Sequence, residues 1–432
     1  MNDAVFAPDF KVQPWWWEAA PPAPPDAEPL PARADVLVVG AGYTGLHAAL
    51  VAARGGRDTL IVDAGALGEG CSTRNGGQVS PSIKPSFDEL ERRHGAPTAM
   101  AVRRSGIDAL GFIASFIESE GIDCSLARAG RFQGAHTPAH YERLARAHAG
   151  QPESLRLDAH MVPRAEQHTE IGTDFYHGGI VHPGHITLHP GLYHAGLVER
   201  ARASGVALRA GCRAQVIVRD GEGFRVQTSR GEVCARDVVV ATNGYTGTVT
   251  PWLRRRVIPI GSYMIATEEI APALAHELSP TRRAMSDSRR VVFYYRLSPD
   301  GRRVLFGGRV ALSETDPRIS GPRLHRELVR IFPQLARTRI THSWSGFVAY
   351  TFDTLPHLGS HDGLHYAMGY CGSGVSLASW FGMCLGHKLL GNPEGRTPLD
   401  GIAFPTRPLY DGTPWFLATA VGWYKLLDRL GI

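Results

Sequence analysis

Gly40, Gly42 and Gly45, followed by Asp63, are the residues whose types and spacing point most directly to chemistry. An apolar strand over residues 35–39 runs into the glycine turn, a helix-compatible stretch follows, and a second strand over 59–62 ends at Asp63. This is the dinucleotide-binding βαβ pattern in its required context. Gly40 makes the tight turn, Gly42 lets backbone approach a pyrophosphate, and Gly45 lets helix and strand pack closely. The helix N-terminus offers unpaired N–H groups and partial positive charge to phosphates. Asp63 stands where a carboxylate can hold ribose hydroxyls.

A second small-residue loop, 68–78, follows at once: Gly-Glu-Gly-Cys-Ser-Thr-Arg-Asn-Gly-Gly-Gln. A nicotinamide-binding unit does not need it, whereas a flavin site does, because backbone must pass close to the pyrophosphate and then to the isoalloxazine. Paired with G-x-G-x-x-G, the motif G-x-S-x-R-N-G-G resembles the D-amino-acid oxidase (DAO) superfamily of FAD enzymes, and within it the γ-glutamylputrescine oxidoreductase-like branch. Three further stretches support the resemblance: Ala-Thr-Asn-Gly at 241–244, Leu-Phe-Gly-Gly-Arg at 305–309, and Gly-Tyr-Cys-Gly-Ser-Gly-Val at 369–375. It runs over about 35–391. The resemblance implies FAD held by Gly40, Gly42, Tyr43, Thr44, Gly45, Asp63 and Ala64. It adds Ser72, Arg74, Asn75, Gly76, Gly77 and Gln78 from the second loop, Ala214, Ala241, Thr242 and Asn243 from later strand ends, and Gly372, Ser373, Gly374 and Val375 from the last turn. There a helix N-terminus aimed at the flavin N1 and C2 carbonyl would stabilise the anionic reduced ring.

Catalytic candidates are fewer. Tyr295 and Arg309 lie on strands that resemble the substrate-facing sheet, one suited to positioning an amine and the other to pairing with a carboxylate. Lys84 follows the flavin loop by six residues and is placed to approach the ring edge or substrate. Two departures from the sarcosine-oxidase-like branch stand out: Leu377 and Leu305 occupy positions where that branch carries lysines, for the substrate carboxylate and for oxygen activation. Cys71 sits where a thiol could tether the flavin, though the small-residue context favours noncovalent binding. His177, His182, His185, His189 and His194 cluster in sequence, but Pro183, Gly184 and Pro190 interrupt a helix there and no acid completes HExxH, so no metal is expected.

The elements that must position these residues can be read around them. Helical periodicity covers 86–121, 139–149 and 191–204, and the helix after the last glycine turn runs over about 375–390. A buried strand over 236–242 returns to the nucleotide-binding sheet. Strands at 256–268, 290–297 and 303–310 form a separate antiparallel sheet, with Ser-Pro-Asp-Gly at 298–301 turning the last two. The fold class is therefore α/β, a discontinuous Rossmann-like FAD-binding domain with an antiparallel-sheet substrate domain. The reading assigns 34–90, 182–255 and 340–395 to the first and 91–181 and 256–339 to the second. Residues 1–33 form a Trp/Pro-rich arm whose Trp15, Trp16 and Trp17 should dock on the protein's own surface, and 396–432 form a tail.

At 432 residues, 43% hydrophobic and 20% charged, the composition is that of a globular protein with two well-buried cores. The net charge of +5 is diffuse, without a basic run interleaved with aromatics, which argues against nucleic acid. No apolar run reaches the eighteen residues of a membrane span. Six scattered cysteines without a CxxC, and no secretory signal at the N-terminus, fit a reduced, cytoplasmic protein. Oligomeric state is not legible in the pattern. The expected function is oxidation of an amine C–N bond to an imine, with hydride passing to flavin N5 and then to oxygen or another carrier. The substrate expected is a small-molecule amine, γ-glutamylputrescine-like in kind. The alternatives are an FAD-dependent dehydrogenase of D-amino or N-alkyl amino acids, and a flavin-bound scaffold subunit that docks through the tryptophan arm. A nicotinamide-only dehydrogenase ranks behind both.

Overall fold

The computed structural model describes residues 5–25 and 27–431. Two sheets organise them. The first has the parallel strands Gly231–Val240, Arg33–Val39 and Thr59–Val62 side by side, with Ala207–Arg209 at its edge. All four residues of Thr59–Val62 are buried, as expected of a parallel strand covered on both faces, where an apolar run replaces alternation. Gly231–Val240 also carries the meander Ala214–Asp220 and Gly223–Thr228 and, at its far end, the parallel strand Leu364–Met368. The strands of this sheet therefore come from three separate stretches of chain.

Two helices cover the nucleotide-binding edge. Tyr43–Arg54 leaves the first glycine turn and Gly374–Leu389 leaves the last. They pack backbone to backbone, because a β-carbon at Gly382 would stand 2.5 Å from Thr44 O and one at Gly386 2.5 Å from Val51 Cβ. At the turn itself Gly40 has φ +108°, a conformation L side chains avoid. A β-carbon at Gly45 would lie 2.0 Å from Gly40 O.

The second sheet has nine strands among the described residues. Its centre is Ile258–Thr267, antiparallel to Ile340–Tyr350 on one side and to Val304–Gly308 on the other. Phe293–Leu297, Ala284–Asp287, Arg131–Gly134, Gly179–His182 and His160–Val162 continue it. Period-two alternation gives it two faces. Tyr263, Ile265, Tyr295 and Phe306 pack on one face against Leu324 and Leu328 of the helix Pro317–Ile331. Met264, Ala266, Leu305 and Trp344 turn to the other, beneath Trp16.

The boundaries read from sequence differ from the structure in three places. Ile340–Tyr350 belongs to the antiparallel sheet, because its register with Ile258–Thr267 runs almost its whole length. Phe6–Lys11, within the arm, is an edge strand parallel to Ile340–Tyr350. The helix Ala96–Ser119 contributes Val102, Ala109 and Ile113 to the apolar cluster that contains Leu377 and Phe381, and so packs on the Rossmann-like side. In the tail, Asp428 of the helix Leu417–Leu430 accepts from Arg290 N and Val291 N. No helix among the described residues is long and apolar enough to cross a membrane.

Gly45→Ala drives a methyl into the Gly40 carbonyl. It should lower stability by roughly 3 kcal/mol, the upper range for an overpacked site, measured by urea unfolding.

Candidate functional site

The first glycine turn is braced from beneath. Asp63 Oδ2 accepts from Ala41 N at 2.8 Å and Oδ1 from Gly65 N at 2.9 Å, so this carboxylate shapes the turn and retains acceptor capacity on both oxygens. Buried His194 donates from Nε2 to Ala41 O at 2.7 Å; burial pushes its pKa down, favouring the neutral ring. Ser72 Oγ accepts from Tyr43 N at 3.1 Å, at the N-terminus of the helix whose N-cap is Gly42. Tyr43 Oη donates to Ser72 O and Pro190 O, and Thr44 Oγ1 bonds Tyr370 Oη at 2.6 Å. Exposed Ala64 follows Asp63. Asp63 O accepts from Cys212 N, two residues before Ala214, so the start of that strand lies beside the acid. Ala241 donates to Val39 O, and its own carbonyl abuts Gly40. Thr242 Oγ1 bonds Thr246 Oγ1, and Asn243 Oδ1 accepts from Gly369 N at 2.9 Å, tying this turn to the last one.

The loop 71–78 lies between the two sheets and is pinned from several directions. Trp16 Nε1 donates to Asn75 O, Trp17 Nε1 to Thr73 Oγ1 and Trp344 Nε1 to Arg74 O, each at 2.9 Å. Asn75 folds back on the loop, donating to Ser72 O and accepting from Gly77 N. Arg74 donates to Glu69 O and Ser345 O and stacks on Trp17. Arg296 Nη1 donates to Gly77 O and Leu188 O. Gln78 Nε2 reaches Met285 O and Tyr295 O on the antiparallel sheet. Trp16 is fully buried and Trp15 and Trp17 are half-buried, so the tryptophan arm docks on its own chain. Its part in holding the loop was missed in the sequence, although three adjacent indoles without a partner were the signal. Cys71 Sγ donates to Phe347 O at 2.7 Å; burial raises its pKa and keeps the thiol protonated.

The third component is the turn 369–374. Cys371 N donates to Ala349 O. Ser373 is the N-cap of Gly374–Leu389 but makes no side-chain capping bond, so the first-turn N–H groups of that helix remain available to an acceptor. Val375 begins the buried face of the helix, and Gly372 has no atom near its missing β-carbon. Lys84 is exposed, its Nζ 5.7 Å from the Tyr350 ring centroid, and its charge reaches Cys371. Lys84 and this turn therefore come together at one rim.

Tyr295 and Arg309 do not join them. Tyr295 faces the core on the far side of the sheet, 2% exposed, with its hydroxyl on Tyr176 Oη at 2.8 Å. Tyr294 is the tyrosine on the loop side: a β-carbon at Gly76 would lie 3.0 Å from its ring, and its hydroxyl bonds Ser262 Oγ at 2.9 Å. Alternation left two adjacent tyrosines, and the register decides for Tyr294. Arg309 is occupied by Gly261 O at 2.6 Å, Glu314 Oε1 at 3.0 Å and Leu312 O at 3.1 Å, which makes it a loop anchor. Leu377 sits 1% exposed in the apolar core and Leu305 lies fully buried beside Trp16. A substrate preference cannot be read from Leu377, because that position belongs to packing. Of the clustered histidines, His189 caps its helix by accepting from Leu192 N, and His182 stacks on His185.

Comparison with known proteins fits this geometry. A profile described as "DAO: FAD dependent oxidoreductase" matches residues 35–387. The chain belongs to this family. It is 34% identical over 428 residues to a probable oxidoreductase OrdL of Rhizobium meliloti (strain 1021), covering 96% of this chain and 97% of that one. It is 31% identical to the gamma-glutamylputrescine oxidoreductase of Escherichia coli (strain K12), covering 92% and 93%. Among solved structures, glycine oxidase from Geobacillus kaustophilus superimposes with a TM-score of 0.73 at 19% identity, covering 88% of this chain and 99% of that chain. The L-proline dehydrogenase of P. horikoshii gives 0.69 at 16%, covering 90% and 99%. These likenesses establish the shared fold.

The residues present fit FAD. Two helix N-termini, one following the Gly40–Gly42 turn and one at Ser373 without a side-chain cap, supply donors for anionic groups, and the pinned loop separates the two sheets. Trp16→Phe removes one of three indole donors and leaves a small cavity in its seat. It should weaken FAD by about 1 kcal/mol, the worth of one hydrogen bond, read in a flavin titration. Tyr294→Phe should slow flavin reduction about fivefold, whereas Tyr295→Phe should leave that rate unchanged and lower stability by about 1 kcal/mol. Stopped-flow reduction and thermal unfolding of both variants test the assignment of faces.

Proposed function

We propose that this FAD-dependent oxidoreductase oxidises the C–N bond of an amine to an imine, and that its substrate is an amine whose charged group lies far from the reacting carbon. The observation that carries the reading is the pinned loop 71–78 beneath Tyr294 and Met264, in a chain related over nearly its whole length to an enzyme named for γ-glutamylputrescine. FAD, when bound, supplies the hydride acceptor. The protein's share is orientation, exclusion of water and electrostatic support. In this reading Gly42, Tyr43 N and Ser72 serve the pyrophosphate and Asp63 the ribose. Asn75, Gly76 and Gly77 pass the ring, and the helix N-terminus at Ser373 and Gly374 stabilises negative charge on it. Noncovalent attachment is the reading that the protonated thiol of Cys71, held on Phe347 O, supports. Tyr294 orients the amine and Lys84 guards the rim. The reactive species is the neutral amine, so flavin reduction rises with pH until the bound amine's pKa is passed. The six cysteines are all unpaired, which supports a cytoplasmic setting.

A second reading concerns the electron acceptor. Leu305, where sarcosine-oxidase-like enzymes carry lysine, is fully buried with Trp16 and Trp344. The cation beside it, its register partner Arg296, is held by Gly77 O and Leu188 O; the absence of a lysine at Leu305 itself supports a carrier other than oxygen, as in a dehydrogenase. Anaerobic mixing of the holoenzyme with a panel of acylated diamines, simple amines and small α-amino acids tests the substrate class. Acylated diamines should bleach the flavin with the highest efficiency. Fastest bleaching by glycine, sarcosine or D-alanine would overturn the reading.

A further inference from the structure

The loop-side face of the antiparallel sheet continues past Tyr294. Met264, Gly307, Tyr294, Ser286 and Gln133 stand side by side in one register row. Gln133 is two strands from Tyr294, about 10 Å at ordinary strand spacing. Arg131, two residues along the same strand, points to the same face and pairs in register with His182. Over Arg131, Gln133 and His182, at the end of this row away from Tyr294, opens a cavity of about 230 Å³, bordered by Pro81, Ser82 and the helices Ala96–Ser119 and Pro138–Ala149. Pro81 lies three residues beyond Gln78, so the cavity adjoins the segment leaving the cofactor loop.

The lining is charged in one sense. Arg131, Arg103, His182, His185, His148, Gln133 and Gln151 contribute its polar groups, and none of its lining residues is acidic. Among the described residues the Arg131 guanidinium makes one hydrogen bond, to Gln133 Oε1 at 3.1 Å; its Nε, like Nδ1 of His185, is buried without a partner there. Burial pushes the pKa of Arg131 down only to about 10, so the guanidinium remains charged. Burial, with the charge of Arg131 second, holds His182 near about 3 and His185 near about 2, leaving both neutral. Arg103 gives Nη1 to Ile83 O and meets no carboxylate. A buried guanidinium without an anion is costly unless a ligand supplies one.

We propose that this cavity receives a carboxylate carried on the far end of the substrate, with Arg131 as its counter-ion and Gln133 and His185 as hydrogen-bonding neighbours. This rests on the amine-oxidising reading above. It assigns to Arg131 the role that the sequence suggested for Arg309, and it sets the separation between the reacting amine and the anion at about 12 Å, two strand spacings across the sheet and two residues along it.

The test uses FAD-loaded enzyme and two amines of matched acyl length, N-glutarylputrescine with a terminal carboxylate and N-pentanoylputrescine without one. Wild-type flavin should be reduced about twentyfold more efficiently by the first, as expected for one charge-assisted contact. Arg131→Met should abolish that preference while changing the neutral amine by less than about threefold, and Arg131→Lys should retain part of it. An unchanged preference, or an equal loss on both amines, overturns the proposal. Calorimetric titration with glutarate gives a readout independent of turnover. If neither amine reduces the flavin, the amine reading fails. Glutarate binding about tenfold tighter to wild type than to Arg131→Met still supports a carboxylate site, and equal or absent binding overturns it.

Discussion

The loop 71–78 has no regular ladder of its own beyond two residues paired at its end, so its backbone polar groups must be satisfied by side chains from elsewhere. Buried carbonyls without donors would cost about 1–3 kcal/mol each. The chain meets this constraint with Trp16 on Asn75 O, Trp344 on Arg74 O, Arg296 on Gly77 O and the side chain of Asn75 on Ser72 O and Gly77 N, while Trp17 and Gln78 tie the loop's side chains to the arm and the sheet. The donors come from the N-terminal arm, the antiparallel sheet and the loop itself. Fixing the loop therefore fixes the relation between the two sheets, and the relation between the sheets defines the space in which the flavin ring and an amine meet.

Much of this was legible because the first part of the site is local in sequence. Gly40, Gly42, Gly45 and Asp63 fall within a single βαβ unit, so spacing alone conveys their geometry. Asp63 proved to brace the turn itself, a role that spacing does not reveal. The last glycine turn was legible for the same reason, as a strand–turn–helix unit. Ile340–Tyr350 was not, because whether an alternating strand joins one sheet or another depends on a partner some eighty residues away.

Side-chain direction was the other limit. Tyr294 and Tyr295 are neighbours with equal chemistry, and only the register against Val304–Gly308 and Ala284–Asp287 distinguishes loop side from core side. Arg309 had the right residue type at a strand end, but Glu314, five residues on, captures it. Arg131 carried no motif at all. Its significance comes from what is missing around it, a carboxylate, and an absence in space has no counterpart in the sequence.

The pairing of Phe6 with Ile340, and the burial of Trp16 beside Trp344, impose an order on biosynthesis. The arm is made before the elements it rests on, yet its seat is not complete until more than three hundred further residues have emerged and Trp344 joins Asn75, His189, Met264 and Leu305 around Trp16. Through most of translation three adjacent indoles lack the complete surface that covers them, a species prone to association in the way incomplete large chains are. Completion of the flavin cradle is thus among the last events of folding. A chain truncated before the strand Ile340–Tyr350 would leave the arm without its strand partner and Trp16 without Trp344, so part of the indole surface would stay exposed.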